Sequence, residues 1–195
     1  MIFNRLAATA LSASLLVTLA GCEKAVAPTG FIPGTATMRA DGDLTRKFAA
    51  KGLDASKFGK VVVLPVEMPR PGAYGDLDAQ QLENCRSILQ SQLEKAFAKA
   101  PGTGDRTLFV HAAITEIKPN KPLLNVAPQT QLLKRGYGYA ACEMFATDGQ
   151  NGPVVAAFMQ TADTARIGTE KLSATGTAEH AAGEWSGAFR AMFGN

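Results

Sequence analysis

The composition of the chain is that of a small folded protein with little net charge. It has 195 residues, of which 46% are hydrophobic, and a formal net charge of +3 at pH 7. This length and apolar content suit one domain with a tether. Nucleic-acid binders present a strongly basic face, and no basic patch is evident in this sequence. We therefore expect no nucleic-acid partner.

The first 21 residues have the pattern of a secretory signal peptide. Arg5 is their only charged side chain, and Leu6 to Ala20 follow as a mostly apolar run. This run is about 15 residues long, whereas a helix needs roughly 20 to cross a bilayer. We therefore expect residues 1–21 to be cleaved off rather than to remain as a membrane-spanning anchor.

Cys22, directly after this segment, is the sharpest chemical signal in the chain. The sequence Leu19-Ala20-Gly21-Cys22 resembles the lipobox of bacterial lipoproteins. The resemblance implies a diacylglyceryl thioether on the Cys22 sulfur, cleavage before this residue, and acylation of the freed amine by a fatty acid such as palmitate. Several acyl chains anchor a protein stably, because each buried methylene contributes about 0.8 kcal/mol. The membrane is therefore the first expected partner.

The residue after Cys22 bears on the choice of membrane. In the sorting rule known from enteric bacteria, Asp at this position retains a lipoprotein in the inner membrane, and here the residue is Glu23. The sequence therefore favours the outer membrane, on its periplasmic face.

The segment from Cys22 to residue 52 is predicted to be a flexible tether. It lacks a sustained helical or alternating pattern, and proline and glycine recur in it. Phe31 and Ile32 interrupt it with two apolar side chains that could dock on the domain, and residues 44–51 could form a short helical turn. A single domain is expected over residues 53–195.

The domain begins with a strand and a helix. Val61 to Val66 is a continuous apolar run typical of a central or doubly buried strand, which Pro65 should end or distort. Asp78 then precedes apolar residues at steps of three and four, which predict an amphipathic helix from Ala79 to Lys99.

The second half of the chain contains three further predicted strands and a helix. Thr107–Ile117 is predicted to be a strand, and the proline-rich residues 118–134 a long loop. Tyr137–Thr147 and Pro153–Met159 flank the turn residues "DGQNG", which predicts a β-hairpin. Apolar residues from Ala178 to Phe193 predict a C-terminal amphipathic helix.

These elements predict an α+β fold of order β-α-β-β-β-α. It is a two-layer sandwich with a four-stranded mixed sheet and two helices on one face. Cys85 on the first helix and Cys142 on a strand could then meet at the interface between helix and sheet. In an oxidising periplasm they could form a disulfide. The alternative is two buried thiols that serve as small core residues.

The sequence contains no recognisable catalytic or metal-binding motif. Serine-hydrolase, zinc-protease, phosphate-loop and dinucleotide-binding patterns are all absent. The chain has only two histidines, His111 and His180, and no spacing joins them to carboxylates in a ligand set. We therefore expect no enzymatic activity, no metal and no cofactor.

One predicted strand carries a candidate interaction surface on the sheet face away from the helices. Its members are Tyr137, Tyr139, Glu143 and Phe145. Glu143 interrupts an otherwise apolar strand face, where a carboxylate must find a donor or reach water. A structural ion pair with Arg or Lys of a neighbouring strand and a contact with a ligand both remain open. If exposed, this face is the best candidate for a binding surface.

Several stretches of the chain together resemble a known family. In order they are "GFI" at Gly30–Ile32, "KFGKVVVLPVEM" at Lys57–Met68, "LFVHAAITEIKPNKPLLN" at Leu108–Asn125, "GPVVAAF" at Gly152–Phe158, and a C-terminal helix with Trp185. On these residues the chain is similar to the bacterial lipoprotein family called domain of unknown function 3313. The resemblance covers nearly the whole mature chain and brings no catalytic residues, so it bears on fold and location.

The leading hypothesis is a lipid-anchored, non-enzymatic binding or scaffold module facing the periplasm, with an envelope protein of unknown identity as its partner. One alternative is a hydrolase of envelope polymers that uses Glu143, Glu116 and Asp163, and it requires a pocket with two carboxylates about 5 to 10 Å apart. The other is a carrier of lipid or another apolar ligand, which requires a large apolar cavity between helices and sheet.

Overall fold

A computed structural model of the chain describes residues 28–34, 38–118, 139–163 and 176–194, with the side chains of Tyr139, Asp163 and residues 176–180 outside the description. The described residues form six strands and two α-helices. In chain order these are β1 (Arg39–Ala40), β2 (Thr45–Ala49), β3 (Phe58–Val63), α1 (Ala79–Ala96), β4 (Arg106–Lys118), β5 (Tyr139–Asp148), β6 (Val154–Asp163) and α2 (Gly176–Ala191).

The strands form one mixed sheet in the order β1-β2-β6-β5-β4-β3. β3 and β4 pair in parallel, as a strand-helix-strand unit requires, and the other neighbours are antiparallel. The α+β class and the two helices agree with the expectation. The four-stranded sheet was wrong, because two additional strands extend it beyond β6.

The additional strands lie in the segment predicted to be a tether. β2 pairs antiparallel with β6, from Thr45 opposite Gln160 to Ala49 opposite Ala156. The predictions of a flexible tether and of a helical turn over these residues were therefore wrong. The sequence of β2, "TRKFA", contains one large apolar residue, Phe48, so its strand character comes from backbone pairing with β6 rather than from an apolar pattern.

β3 lies at the edge of the sheet, not at its centre as its apolar run predicted. Val61 and Val63 pack partly buried against the core, whereas Val62 on the other face is 38% exposed. The strand ends at Val63, before Pro65, as expected for a residue without an N–H group. The chain rejoins the sheet at Glu67, whose N–H donates to the Ala112 carbonyl at 2.9 Å.

α1 begins where the sequence predicts it. The Asp78 carboxylate accepts the Gln81 N–H at 2.8 Å, and the Gln81 side chain accepts the Asp78 N–H at 2.9 Å. This capping box satisfies two backbone donors that the first helical turn leaves without partners. The helix ends at Ala96, three residues before the predicted end, and the Phe97 N–H caps it by donating to the Leu93 carbonyl.

Both helices cover one face of the sheet, and the main core lies between the two layers. Its largest fully buried side chains on the helices are Trp185 and Phe189 of α2 and Leu89 and Leu93 of α1. α2 packs on β5 and β6, while α1 packs against α2 and β3. The amphipathic patterns that predicted the two helices thus correspond to this shared apolar interface.

Cys85 and Cys142 are both buried in this core, and no disulfide joins them in the structure. Cys85 lies on α1, whereas Cys142 lies on β5, which α2 covers. Both residues belong to the main core cluster, which is the arrangement of the alternative interpretation as buried thiols. Burial raises the pKa of the Cys142 thiol well above its ordinary value, and the Glu143 charge raises it further.

Two unreactive thiols are expected in the folded protein. In full-length Cys22→Ser protein, a maleimide should label neither cysteine under native conditions, because the thiolate is the nucleophile and both groups are shielded. Unfolding in guanidinium chloride without reductant should expose both to labelling, as measured by intact mass. Labelling of the unfolded protein only after reduction would show a disulfide instead.

Candidate functional site

The sheet face opposite the helices carries the candidate interaction surface. Glu143 and Phe145 lie on this face of β5, and Tyr139 opens the strand, with its side chain outside the description. Tyr137 and the proposed lipidation site Cys22 lie outside the described residues.

The N-terminal segment, residues 28–34, covers part of this face. Ile32 is 2% exposed and packs with Phe145, Ala157 and Met159 in a second apolar cluster. Phe145 is 7% exposed. The expectation of a binding surface here was therefore wrong for Phe145 and Glu143, which are closed off from solvent. The docking of Phe31 and Ile32, which their apolar character suggested, is found in the structure.

Glu143 holds this segment in place. Its side chain is fully buried, one carboxylate oxygen accepts the Thr29 N–H at 2.7 Å, and the other accepts the Ile32 N–H at 3.3 Å. Bonds from N–H groups to an ionised carboxylate are stronger than bonds between neutral groups. None of the ion pairs formed by described residues involves Glu143, so among these residues its partners are backbone N–H groups rather than Arg or Lys. We call the segment Thr29–Ile32 with Glu143 the N-terminal clasp.

The local sequence of the clasp allows both N–H groups to reach one carboxylate. Gly30 has φ of +91°, a left-handed conformation that glycine adopts without a steric penalty. The resulting turn places Phe31 edge-on against Phe145, with ring centroids 5.4 Å apart. The "GFI" stretch is thus the sequence signal of the clasp, although nothing local to it identifies Glu143 as its partner.

His111 on β4 lies beside the clasp and serves in packing. Its ring stacks on Phe145, with centroids 4.2 Å apart and planes 6° from parallel. The Nε2 atom is shielded and has no hydrogen-bond partner among the described residues. Burial lowers the pKa of His111 below its ordinary value, while the Glu67 charge acts in the opposite direction. In the described part of the chain, no group of three His, Cys, Asp or Glu side chains could hold a metal ion.

Comparison with protein-family models matches residues 35–189 to DUF3313, described as a protein of unknown function. The chain belongs to the DUF3313 family. The family resemblance drawn from the sequence is thereby confirmed. A search of curated proteins returned no relative of this DUF3313 chain. Within its described residues, no helix is long and apolar enough to cross a membrane.

Among solved structures, two dodecamers of PelC from Paraburkholderia phytofirmans are similar to this DUF3313 chain. The first, a point variant, shows 16% identity and a TM-score of 0.45, and the second shows 14% and 0.43. Each comparison covers 76% of this chain and 95% of PelC. A Caulobacter crescentus CB15 protein described as a candidate lipoprotein shows 14% identity and a TM-score of 0.34, over 71% of this chain and 91% of its own. At such scores no role of these proteins transfers to this one.

Replacement of Glu143 by glutamine should open the clasp. The amide nitrogen of Gln would face a backbone N–H, so one buried donor loses its acceptor, and the other bond loses its charge. We expect the free energy of unfolding to fall by about 1.5–3 kcal/mol. Hydrogen exchange should accelerate at Thr29 and Ile32 in Glu143→Gln. The matched control is Glu94→Gln on the exposed side of α1, and unchanged exchange in residues 28–34 of Glu143→Gln would contradict the clasp.

The stability of the protein should depend on pH through His111. Its folded pKa lies below its ordinary value of 6.5, so protonation favours the unfolded state. The stability contributed by the neutral form is therefore present above pH 6.5 and lost as the pH falls through the folded pKa. Denaturant titrations at about pH 7.5 and about pH 5 should show a smaller loss for His111→Phe, which keeps the ring stack, than for the unsubstituted chain. Equal losses would exclude this role.

Proposed function

We propose that this DUF3313 protein is a lipid-anchored module of the bacterial cell envelope that binds or scaffolds another envelope component and catalyses no reaction. The signal peptide and the lipobox cysteine, Cys22, support the anchor. The observation that carries the proposal is the N-terminal clasp, because it joins the chain close to the anchor directly to the sheet.

The clasp shortens the distance between anchor and body. Thr29 follows Cys22 by seven residues, and an extended chain of that length spans at most about 25 Å. A free tether up to residue 52 would reach about 100 Å. In the proposed arrangement, the sheet face opposite the helices is nearer to the lipid surface and the helices are directed away from it. A module that must present one surface to a partner benefits from such a fixed orientation.

The proposed location is the periplasmic face of the outer membrane, because Glu23 rather than Asp follows Cys22. The proposed partner is another envelope protein, in addition to the membrane itself. No cofactor or nucleic acid enters the proposal.

The environment of the carboxylates favours binding over hydrolysis. Both oxygens of Glu143 accept backbone N–H groups and the side chain is closed to solvent, which leaves it without access to a substrate. Glu116 lies 3.5 Å from the Lys118 ammonium. The side chain of Asp163, the third acid of the hydrolase alternative, lies outside the description.

The packing of the core favours a scaffold over a carrier of apolar ligands. Trp185, Phe158 and Phe189 are each almost completely buried between helices and sheet. Their rings occupy the layer in which a lipid cavity would have to form, since such ligands need several hundred Å³ of enclosed apolar space.

Replacement of Cys22 by serine tests the anchor. A serine hydroxyl cannot carry the thioether, so we expect Cys22→Ser to move from the membrane fraction to the soluble fraction of the envelope. The intact mass of the native protein should show a diacylglyceryl group and a fatty acyl group on a chain that begins at Cys22. Cys85→Ser is the matched control and should stay with the membrane. A native chain with an unmodified Cys22, or a membrane-bound Cys22→Ser, would overturn the proposal.

A further inference from the structure

Among the described residues, the β3 edge of the sheet presents backbone groups without hydrogen-bond partners. The Leu64 N–H donates to the Val110 carbonyl at 2.9 Å, so the backbone of Leu64 faces β4. In a parallel pair, the N–H and C=O groups of one residue point toward the neighbouring strand and those of the next residue point away from it. The N–H and C=O groups of Val61 and Val63 therefore point away from β4. Within the described part of the chain, no hydrogen bond reaches these four groups.

This open edge is short and defined at both ends. At its start the Gly102 N–H donates to the Phe58 carbonyl at 3.0 Å, and the carbonyl of Gly104 lies against Gly59. At its end Pro65 has no N–H to offer. The accessible stretch therefore runs from Lys60 to Leu64 and has room for one added strand of about five residues.

A groove adjoins this edge on the helix side of the sheet. Its first part is a depression of about 310 Å³ lined by Val63, Pro65, Val66, Glu83, Arg86 and Gln90, among others. It shares Pro65, Val66, Glu83 and Arg86 with a second depression of about 550 Å³ that continues past Met68 and Leu82. The two form one continuous open groove between α1 and the segment after β3.

The polar side chains in the first part of the groove are already paired. The Val66 N–H donates to the Gln90 side-chain oxygen at 2.9 Å, and Arg86 forms an ion pair with Glu83 at the rim. Val63, Pro65 and Val66 supply apolar surface below them. An uncharged aliphatic or aromatic side chain fits this chemistry, because it needs no polar partner inside the groove.

We propose that the β3 edge and this groove bind an extended peptide segment of a partner protein by strand addition. The peptide backbone pairs with Val61 and Val63, and one apolar side chain enters the groove beside α1. The next side chain along the peptide lies on the opposite face, beside the exposed Val62. This rests on the proposed binding role and gives the partner a class, but it does not depend on lipidation of Cys22.

A second copy of the chain fits the site less well than a foreign peptide. On the helix side β3 carries Phe58, Val61 and Val63, and all three already pack in or against their own core. A second β3 paired with the first would therefore bring no side chain to fill the groove. The occupant must carry a long apolar side chain that is not already packed in its own core, as Phe58 of β3 is.

Selection of peptides tests the proposal. Random twelve-residue peptides displayed on phage are selected against immobilised full-length Cys22→Ser protein, and the enriched peptides are synthesised. We expect enriched sequences to alternate apolar and polar residues. In the complex, hydrogen exchange followed by NMR should slow at the N–H groups of Val61 and Val63, whereas that of Leu64, already bonded to β4, should change little.

Two substitutions locate the binding. Val63→Pro removes an outward N–H at a position where an edge strand tolerates proline, and should weaken the peptide Kd by about tenfold or more. Ser87 of α1 also lines the groove, so Ser87→Trp should fill it and have a similar effect without altering the strand. Lys95→Trp, exposed on the same helix away from the groove, is the control and should leave the Kd unchanged. Thermal unfolding of each variant verifies that it folds.

Three outcomes would overturn the proposal. One is the absence of enriched peptides, and another is a Kd that neither Val63→Pro nor Ser87→Trp changes. The third is self-association of the peptide-free Cys22→Ser protein with slowed exchange at Val61 and Val63, which would assign the edge to a second copy. Because Cys22 is replaced throughout, failure of this test is distinct from failure of the lipid anchor.

Discussion

The buried carboxylate of Glu143 needs hydrogen-bond donors, and this need determines the arrangement of one side of the molecule. Glu143 lies in the middle of a sheet face, fully shielded, where an ionised group without donors would be strongly destabilising. The N–H groups of Thr29 and Ile32 supply the donors. The position of the N-terminal segment, the contact of Phe31 with Phe145, and the closure of the sheet face all follow from this interaction. The same interaction joins residues 29–32 to the domain.

The two faces and the edge of the sheet therefore have different roles. The helix side holds the main core, in which Trp185 and Phe189 of α2 meet Leu89 and Leu93 of α1. The opposite side is partly covered by the chain itself. In the described part of the chain, the β3 edge has backbone groups without partners beside a groove with an Arg86–Glu83 ion pair and apolar walls. In the proposed orientation the covered face is directed toward the lipid, which leaves the edge accessible to a partner.

Local patterns predicted most of the domain correctly. Asp78 followed by apolar residues at helical spacing placed the start of α1, because a capping box and an amphipathic stripe are properties of neighbouring residues. Turn residues between two alternating segments predicted the β5–β6 hairpin, for the same reason. β2 was not predicted from the sequence, because it has a single large apolar residue and depends on β6 for its hydrogen bonds. The apolar run of β3 suggested a central strand, since a sequence pattern does not reveal which side of a strand lacks a neighbour.

The sequence by itself determined the family and the order of most elements, and it predicts a signal peptide and a lipobox cysteine, since each of these depends on short runs of adjacent residues. Only the tertiary structure decided what Glu143 contacts and which edge of the sheet stays open. Residues 29 and 143 are far apart in the chain, and their pairing depends on how the sheet brings them together. The physical reason is the same in both cases. The partner of a backbone group, whether the Glu143 carboxylate or a neighbouring strand, is distant in the chain, and a local sequence pattern does not reveal it.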